Sequence, residues 1–511
     1  MGFLPNKKSR CTWTRYADPS TSPHTKSEWP PKRNKVCDNI LDAIGNTPLV
    51  KLNKIPQSEG LKCEVYAKCE FMNPGFSIKD RVALRAITDG EIDGTLTTDS
   101  IIVEPSSGNT GVAIALVATI KGYNCTIVMP KKTSPEKVAL IKALGGQIAF
   151  TPNNVNIDSE DSIFGRTQKI LQENQEAVTI DQFSNASNPL AHYDLTAEEI
   201  WEALDGDVHM VVCGCGTGGT ITGIGRKLKE RNEEITIIAV DPLASDMARP
   251  EYLNRGSITT SEIEGIGFKS LTPTNLDRSV IDKWVKVSDK EAFVMARRLA
   301  KEEGIFGGGT SGANLSACLN VAKEFDETKK VVVIFPDSIK YYLTRFVQDP
   351  WMEIRQYQLC VNKQKTWWWN FSLKNMHMSP VTSLKSTTSC HRVLHEFRKQ
   401  MSNFISIVNE EGHCLGVASR YLLEIDLILE KIKETDPIEM TMLTVDIPKV
   451  PDNTTLGVVS RALELSDYCL VCKKIYQPNG SYIEIPISML TPFDVVHYLA
   501  NHPDITKYGA I

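Results

Sequence analysis

The sequence contains no apolar run near the roughly 20 residues that are needed to cross a bilayer. Its first residues, 1–10, lack an apolar core followed by a cleavage site, and Asn6 stands where a myristoylation signal has Ser or Thr. Positive charge is not in excess either, because 57 Lys and Arg residues face 62 Asp and Glu residues. We therefore expect a cytoplasmic protein whose main partner is neither a nucleic acid nor an anionic membrane.

Cysteine does not form the even, closely spaced pattern of a small disulfide-stabilised domain. The 13 cysteines are an odd number and are scattered over 511 residues. Cys469 and Cys472 have the spacing of a zinc or redox pair, but they lie in an apolar run with no second pair nearby. We interpret them as residues of a buried strand.

A chain of this length is too long to fold around one hydrophobic core, so its length predicts two or three domains. Residues 1–38 are polar and rich in proline without a sustained period, and we interpret them as an irregular arm. Between residues 39 and 350, short β-branched runs alternate with amphipathic stretches. This alternation predicts an α/β domain in which helices cover parallel sheets.

The remainder of the chain lacks that alternation. Residues 351–378 include three consecutive tryptophans, and we interpret this stretch as a linker. Residues 379–511 contain a weak internal repeat, with copies at about 379–430 and 440–501. Each copy has the pattern of a helix, two strands and a closing helix, which predicts an α+β tandem pair.

Four loops, each after an apolar run, carry the candidate catalytic and ligand-binding residues. The first is 73–81, which includes Lys79, and the others are 106–111, 216–220 and 336–338. In α/β sheets ligands bind where a strand ends and a helix begins, and free backbone N–H groups there favour phosphate. A lysine followed by Asp-Arg is more commonly a solvated surface charge, so the prediction depends on the four loops together.

The loops resemble the cofactor site of the β-replacing pyridoxal phosphate enzymes of fold type II, the family of cysteine synthase and cystathionine β-synthase. The resemblance to cystathionine β-synthase covers nearly the whole chain and includes the segments 188–193, 265–267 and 307–309. It implies a two-subdomain parallel-sheet catalytic core at 39–350, followed by a tandem CBS-domain pair with a regulatory role.

The resemblance also implies roles for single residues. Lys79 forms the Schiff base with pyridoxal 5'-phosphate and acts as general base. Asn109 hydrogen-bonds the ring hydroxyl of the cofactor, and Ser338 faces its pyridine nitrogen. The phosphate is bound by the loop Gly216, Thr217, Gly218, Gly219 and Thr220. The substrate is bound by Ser106, Ser107, Thr110 and Gln182.

The implied reaction condenses L-serine with L-homocysteine to L-cystathionine and water, a step of transsulfuration. A serine does not keep the pyridine nitrogen protonated, which favours β-elimination and replacement over transamination. Production of hydrogen sulfide from cysteine stays open. The alternatives are a cysteine synthase, a serine dehydratase and a catalytically idle ligand sensor. Intact Lys79, Asn109 and Ser338 argue against the sensor.

Animal members of the family carry Cys-Thr-Trp and Pro-His motifs in an N-terminal arm, and these motifs supply two ligands to one haem b. Cys11 and His24 stand in such motifs here. Physical chemistry alone would not assign one cysteine and one histidine on an irregular arm to a metal. The resemblance implies that they bind the haem iron, that Arg226 pairs with the thiolate, and that the protein is a homodimer.

Some positions depart from the family pattern. Phe76 stands where animal enzymes have glycine, and Phe183 and Phe268 stand where tyrosines are expected, which bears on rate and thiol preference. In the tail, Thr491 and Asp494 match residues that bind an adenosyl ribose in related pairs. The alternative is that Asp494 is a stabilising acid at a helix N-terminus and that the tail is structural or oligomerising.

Overall fold

The computed structural model describes residues 36–131, 133–152, 158–256, 258, 260–358, 366–400, 403–440, 447–476 and 482–502. The chain forms two compact units that divide between Thr344 and Arg345. The predicted haem ligands Cys11 and His24 lie outside the described residues. Among the helices that are described, none is long and apolar enough to span a membrane.

Strands and helices alternate in the first unit, as the sequence predicts. Its strands are β1 (Leu49–Lys51), β2 (Glu64–Cys69), β3 (Ile101–Pro105), β4 (Asn124–Pro130), β5 (Gln147–Thr151), β6 (Ala177–Val178), β7 (Met210–Gly214), β8 (Thr236–Pro242), β9 (Lys283–Val287) and β10 (Lys330–Phe335). Its α-helices are α1 (Ile55–Ser58), α2 (Lys79–Ile92), α3 (Asn109–Lys121), α4 (Pro135–Ala143), α5 (Ile163–Glu173), α6 (Ser187–Ala191), α7 (Ala197–Ala203), α8 (Gly219–Arg231), α9 (Asp289–Arg298) and α10 (Gly309–Val321). π-helical turns lie at His192–Thr196 and Leu299–Glu303.

These strands form two sheets. The larger sheet has the order β1-β2-β10-β7-β8-β9 and is parallel except for β1, which pairs antiparallel with β2. The smaller sheet has the order β5-β4-β3-β6 and is parallel throughout. Parallel strands covered on both faces are continuously apolar, and Val331, Val332 and Val333 in β10 are fully buried. The predicted α/β class with two parallel sheets is confirmed.

Helix starts in this unit follow local rules where no ligand is expected. Ser134 caps α4 by accepting a hydrogen bond from the Lys137 N–H, and Pro135 occupies the first helical position. By contrast, the residue that precedes α8 is Gly218, whose φ is +85° and which has no side chain to cap the helix. The first N–H groups of α8 therefore lack a side-chain partner, which suits an anion.

The second unit contains the predicted repeat. Its strands are β11 (Ser383–Lys385), β12 (Phe404–Val408), β13 (Cys414–Ser419), β14 (Lys449–Pro451), β15 (Cys469–Tyr476) and β16 (Tyr482–Leu490). Its α-helices are α11 (Asp349–Ile354), α12 (Cys390–Gln400), α13 (Arg420–Ile428), α14 (Leu456–Leu463) and α15 (Pro492–Ala500). Residues 477–481 lie outside the described residues, and the strands on either side of them, β15 and β16, pair antiparallel.

The two copies of the repeat share one topology. Each has a three-stranded sheet whose first pair is parallel and whose second pair is antiparallel, β11-β12-β13 in one and β14-β15-β16 in the other. Both antiparallel pairs also shift register, between Ile407 and Val408 and between Val471 and Cys472. The rings of Phe404 and Tyr468, near the starts of equivalent strands, lie 4.3 Å apart. This arrangement is consistent with a tandem CBS-domain pair.

The stretch predicted as a linker belongs to the second unit. Trp369 is buried, and its ring lies where a Cβ at Gly457 of α14 would approach within 2.4 Å. Glu353 of α11 accepts a hydrogen bond from Arg461 of the same helix α14. In its described part, this stretch is therefore packed against the second copy of the repeat.

Candidate active site

The four loops predicted from the sequence follow strands that bring them together. Strands β2, β10 and β7 are adjacent and parallel, so the Lys79 loop, the Ser338 loop and the loop 216–220 leave the same edge of the larger sheet. The loop 106–111 follows β3 of the smaller sheet. Carboxyl ends of parallel strands are where α/β proteins bind ligands.

Lys79 is the first residue of α2, and its Nζ lies 3.3 Å from Thr217 Oγ1. This contact joins the first loop to the third. Burial lowers the pKa of Lys79 to about 8, although the Cys213 thiol and the Glu104 carboxyl oppose the shift. The amine therefore loses its proton at a pH closer to neutrality than a free lysine does, which suits a nucleophile or a base.

The loop 216–220 has room only for glycine at all three of its glycine positions, and at Gly218, whose φ is positive, a Cβ would lie 2.6 Å from Leu276 Cα. A Cβ at Gly216 would lie 2.3 Å from the Gly265 carbonyl oxygen, and a Cβ at Gly219 would lie 2.0 Å from Asn188 Oδ1. Asn188 Nδ2 donates to Thr217 Oγ1 at 2.9 Å. The loop is thus held closely against its neighbours before it opens α8, which is the geometry of a phosphate site.

From Thr217 the hydrogen bonds continue toward the second loop. Asn188 Nδ2 also donates to the Gln182 carbonyl oxygen at 2.8 Å. The Thr110 hydroxyl donates to Gln182 Oε1 at 2.6 Å. Gln182 therefore links the predicted phosphate residues to the predicted substrate loop.

Further hydrogen bonds join the loop 106–111 to the Ser338 loop, and the Ser338 loop to the Lys79 loop. Asn109, next to Thr110, donates from Nδ2 to Asp337 Oδ2 at 2.9 Å. The Ser338 N–H donates to the Phe76 carbonyl oxygen at 3.1 Å, and the Ile78 N–H donates to the Pro336 carbonyl oxygen at 2.7 Å. All four loops are therefore joined in one closed circuit of hydrogen bonds.

Pyridoxal phosphate fits the groups that this circuit leaves unused. Asn109 Oδ1 is buried without a hydrogen-bond partner among the described residues, so it is free to accept from a ring hydroxyl. Ser338 is buried, and its hydroxyl oxygen accepts from the Lys340 N–H at 3.2 Å, which leaves its own hydrogen to donate to a ring nitrogen.

The predicted substrate residues differ in exposure. Ser106 is buried, and its hydroxyl accepts from the N–H groups of Gly108 and Gly111 at 3.3 and 3.1 Å. Ser107 is exposed. Thr110 is buried and bound to Gln182, as described above. The loop is thus rigid at Ser106 and open at Ser107.

Glu104 is an important residue that the sequence reasoning missed. Its buried carboxylate accepts from the Asp181 and Gln182 N–H groups at 2.9 and 3.2 Å and from the Thr179 hydroxyl at 3.0 Å. Burial raises the pKa of Glu104 to about 7, although the N–H donors oppose the shift. Asp181 has a φ of +54°, so Glu104 holds a strained backbone beside Gln182. A charged residue within the apolar strand β3 was the available signal.

Other predicted residues have local partners. Arg226 Nε donates to Asp277 Oδ2 at 2.9 Å; the thiolate predicted as its partner lies outside the described residues. Asp494 Oδ2 accepts from the Thr491 N–H and hydroxyl at 2.7 and 2.6 Å, while the Thr491 hydroxyl accepts from the Asp494 N–H. This reciprocal capping box is the arrangement of a stabilising acid at a helix start.

The two phenylalanines that replace expected tyrosines pack in an apolar cluster. Phe183 makes edge-to-face contacts with Phe164 and Phe268, at ring distances of 5.4 and 5.8 Å. The Phe183 carbonyl oxygen accepts from the Asn275 N–H at 3.2 Å. The Thr274 hydroxyl donates to the same carbonyl oxygen at 3.0 Å, so the backbone after Gln182 is held by Asn275 and Thr274 and not by a hydroxyl on residue 183.

Comparison with known proteins agrees with this geometry. Residues 40–337 match the family described as "Pyridoxal-phosphate dependent enzyme". A cystathionine beta-synthase of Apis mellifera is 44% identical over 99% of this chain and 98% of its own length. The cystathionine beta-synthase of Oryctolagus cuniculus is 41% identical over 97% of this chain and 91% of its own length.

Solved structures resemble about three fifths of this chain. A hydrogen sulfide-producing enzyme from Fusobacterium nucleatum is 37% identical, with a TM-score of 0.56, and covers 60% of this chain and 100% of its own. An O-ureido-L-serine synthase is 36% identical, with the same TM-score, and covers 61% of this chain and 95% of its own. The chain therefore belongs to the pyridoxal-phosphate dependent enzymes and, within them, to the cystathionine beta-synthases.

Proposed function

We propose that this protein condenses L-serine with L-homocysteine to L-cystathionine and releases water, with pyridoxal phosphate as cofactor. The observation that carries the proposal is the closed circuit of hydrogen bonds that joins Lys79, Asn109, Ser338 and the loop 216–220. Relatives that bear the name cystathionine beta-synthase over nearly the full length support it.

Lys79 is the residue on which the chemistry depends. When bound, pyridoxal phosphate supplies an electron sink that weakens the Cα–H bond of an amino acid. With the cofactor bound, the Lys79 amine would hold it covalently and, once serine has displaced the lysine, would remove the Cα proton. Lys79 would pass that proton to the departing β-hydroxyl so that water leaves. The homocysteine sulfur would then form the new bond to Cβ, and the thiol proton would return through Lys79 to Cα.

The other loops bind and orient. The loop from Ser106 to Thr110 and the side chain of Gln182 bind the serine carboxylate near the start of α3. The loop 216–220 binds the cofactor phosphate through backbone N–H groups and two hydroxyls. Ser338 is neutral, so it offers a hydrogen bond to the ring nitrogen without protonating it. The ring then withdraws electrons less strongly than it would with a protonated nitrogen.

The reaction is tested by product analysis with matched substrate pairs. We expect cystathionine from L-serine with L-homocysteine as the main product, identified by mass spectrometry. Cysteine from O-acetylserine with sulfide as the faster reaction would instead indicate a cysteine synthase, and pyruvate from serine alone would indicate a dehydratase. No turnover of any pair by protein that binds the cofactor would favour a ligand sensor.

A haem in the N-terminal arm is part of the same proposal. Cys11 and His24 would supply thiolate and imidazole ligands to the iron of haem b, with Arg226 near the thiolate. The purified protein should then show a strong Soret band, which Cys11→Ala or His24→Ala should shift while pyridoxal phosphate is retained. A wild-type spectrum without a Soret band would refute the haem.

The remaining parts of the proposal concern assembly and regulation. We propose a homodimer in the cytoplasm, and a regulatory role for the tandem pair in the second unit. An adenosyl ligand at Thr491 and Asp494 is one form of that role, and a structural or oligomerising tail is the other. Calorimetric titration with adenosylmethionine distinguishes the two.

A further inference from the structure

One short segment supports both threonine hydroxyls of the loop 216–220. Asn188 Nδ2 donates to Thr217 Oγ1 at 2.9 Å, and His192 Nε2 lies 3.2 Å from Thr220 Oγ1. The two supporting residues are four positions apart, so their side chains lie on the same side of the segment, and both are fully buried. The segment packs directly on α8, because a Cβ at Gly223 would lie 2.8 Å from His192 Cβ.

The second contact of Asn188 fixes the orientation of its amide. The same nitrogen donates to the Gln182 carbonyl oxygen at 2.8 Å. A carbonyl oxygen only accepts, so the amide nitrogen must face it, and both of its hydrogens are then in use. Thr217 Oγ1 accepts from Asn188 and from Lys79 Nζ, which leaves the Thr217 hydroxyl hydrogen for another acceptor.

At Thr220, the direction of the hydrogen bond depends on which nitrogen of His192 carries the hydrogen. Its ring lies between Thr220 Oγ1, at Nε2, and Thr196 Oγ1, which is 3.0 Å from Nδ1. Burial holds the pKa of His192 well below its usual value, and the nearby charges of Lys79 and Arg81 add to the effect, so the ring is neutral and carries one N–H. With that hydrogen on Nδ1, the Thr220 hydroxyl would have to donate to Nε2 and could not donate to a phosphate.

We propose that Asn188 and His192 are positioning residues that set the hydrogen polarity of the phosphate pocket. Each makes a threonine hydroxyl accept from the protein, so that the hydroxyl donates to the cofactor phosphate. His192 is then protonated at Nε2, and the Thr196 hydroxyl donates to Nδ1. A phosphate dianion only accepts hydrogen bonds, so this polarity matches it and the opposite polarity would repel it. The inference rests on the pyridoxal phosphate assignment and not on the amino acids that are condensed.

Phosphorus-31 NMR of the holoenzyme tests the polarity directly. The second ionisation of a free phosphate monoester lies near about pH 6, and we expect the bound phosphate of the native protein to stay dianionic below that pH. His192→Leu removes the donor to Thr220 and should raise the ionisation pH of the bound phosphate. It should also weaken pyridoxal phosphate binding about tenfold, as the loss of one hydrogen bond to a charged group predicts.

Two variants separate polarity from packing. His192→Gln keeps an amide donor toward Thr220 and an acceptor toward Thr196, so it should restore most of the native phosphorus signal and cofactor affinity. Ser187→Ala removes a partly buried hydrogen bond of 2.7 Å from the same segment to Asp89 on α2, and it should leave the signal unchanged. Equal losses in the Leu and Gln variants, or a native signal in the Leu variant, would overturn the proposal.

A milder change covers the case in which His192→Leu does not fold. Thr196→Val removes the donor to Nδ1 and should shift the phosphorus signal in the same direction by a smaller amount. An unchanged signal would overturn the proposed chain of hydrogen bonds from Thr196 through His192 to Thr220. None of these measurements uses serine or homocysteine. A native protein that makes no cystathionine would therefore refute the proposed reaction and leave the polarity of the phosphate pocket standing.

Discussion

The two units of this protein differ in what they bury. In the first unit, Lys68, Glu70 and Arg81 are each at most 1% exposed, and they form ion pairs with one another and with Glu199. In the described part of the second unit the core is apolar, and Arg461 is the buried charge, paired with Glu353. Buried charges are costly unless they are paired and hydrogen-bonded, so their concentration in one unit calls for a physical reason.

The reason lies in what each unit has to hold in place. Arg81 stands two residues after Lys79, and its contacts fasten the first turn of α2 to Glu70 after β2 and to Glu199 on α7. Directional contacts of this kind fix a position in a way that apolar packing does not. In the second unit, by contrast, Asp494 is satisfied within its own helix turn and does not join two elements.

The largest effect that we predict is the loss of activity when a residue of the first unit, Lys79, is replaced. Lys79→Ala should lower cystathionine formation by about 10⁴-fold, because it removes the covalent attachment and the general base. Circular dichroism and the unfolding of the second unit should stay native, and the exposed Lys142→Ala serves as control. Appreciable residual turnover would contradict the role of Lys79.

A pair of arginine substitutions tests the difference in buried charge. Arg81→Met leaves Glu70 and Glu199 without their main partner and should lower the free energy of unfolding of the first unit by about 3–5 kcal/mol. Arg461→Met should cost the second unit less, because Glu464, one of its two partners, is 41% exposed and can be solvated. Urea denaturation followed by a probe in each unit measures both. Equal losses would remove the distinction between the units.

Glu104→Gln probes a carboxyl that acts through Gln182. The amide places a donor against backbone N–H groups, so we expect the KM for serine to rise about tenfold with a smaller change in kcat. Thr179→Val removes one hydroxyl donor to Glu104 and a longer contact of 3.3 Å from the Asp181 N–H, and it should have a weaker effect. A fall in kcat with an unchanged KM would indicate another role.

The same substitution should change how stability depends on pH. The pKa of Glu104 rises from 4.5 to about 7 on folding, so its contribution is fully present below pH 4.5 and is lost as the pH rises through about 7. The native protein should therefore lose stability relative to Glu104→Gln across that window. Parallel pH profiles of the two proteins would contradict the shift.

The smallest predicted effect belongs to the second unit. Asp494→Ala removes the capping box of α15 and should lower the stability of that unit by about 1 kcal/mol, with turnover unchanged. Thermal unfolding of the unit measures the loss. If adenosylmethionine binds the native protein and not this variant, Asp494 has a ligand role in addition to the cap.

Much of the fold follows from local sequence pattern, because strand, cap and turn signals act over a few residues. The alternation of β-branched runs predicted the parallel sheets, and the repeat in the tail was visible as two copies of a helix, two strands and a closing helix. The hydrogen-bond circuit was not visible, since it depends on which strands become neighbours. Phe76 shows the limit clearly: its φ of +64° is set by the Ser338 loop bonded to its carbonyl, and no local signal requires it.

The position of β10 has a consequence for how the active site comes into being. This strand is the last of its sheet to be synthesised, yet it pairs with β2 from Lys330 opposite Glu64 to Phe335 opposite Cys69 and separates β2 from β7. At about 5–20 residues per second, a ribosome needs many seconds to travel from one partner to the other. During that time the nascent chain exposes two strand edges that chaperones can bind, and it has no complete cofactor site, so cofactor capture must wait for the final strand of the domain.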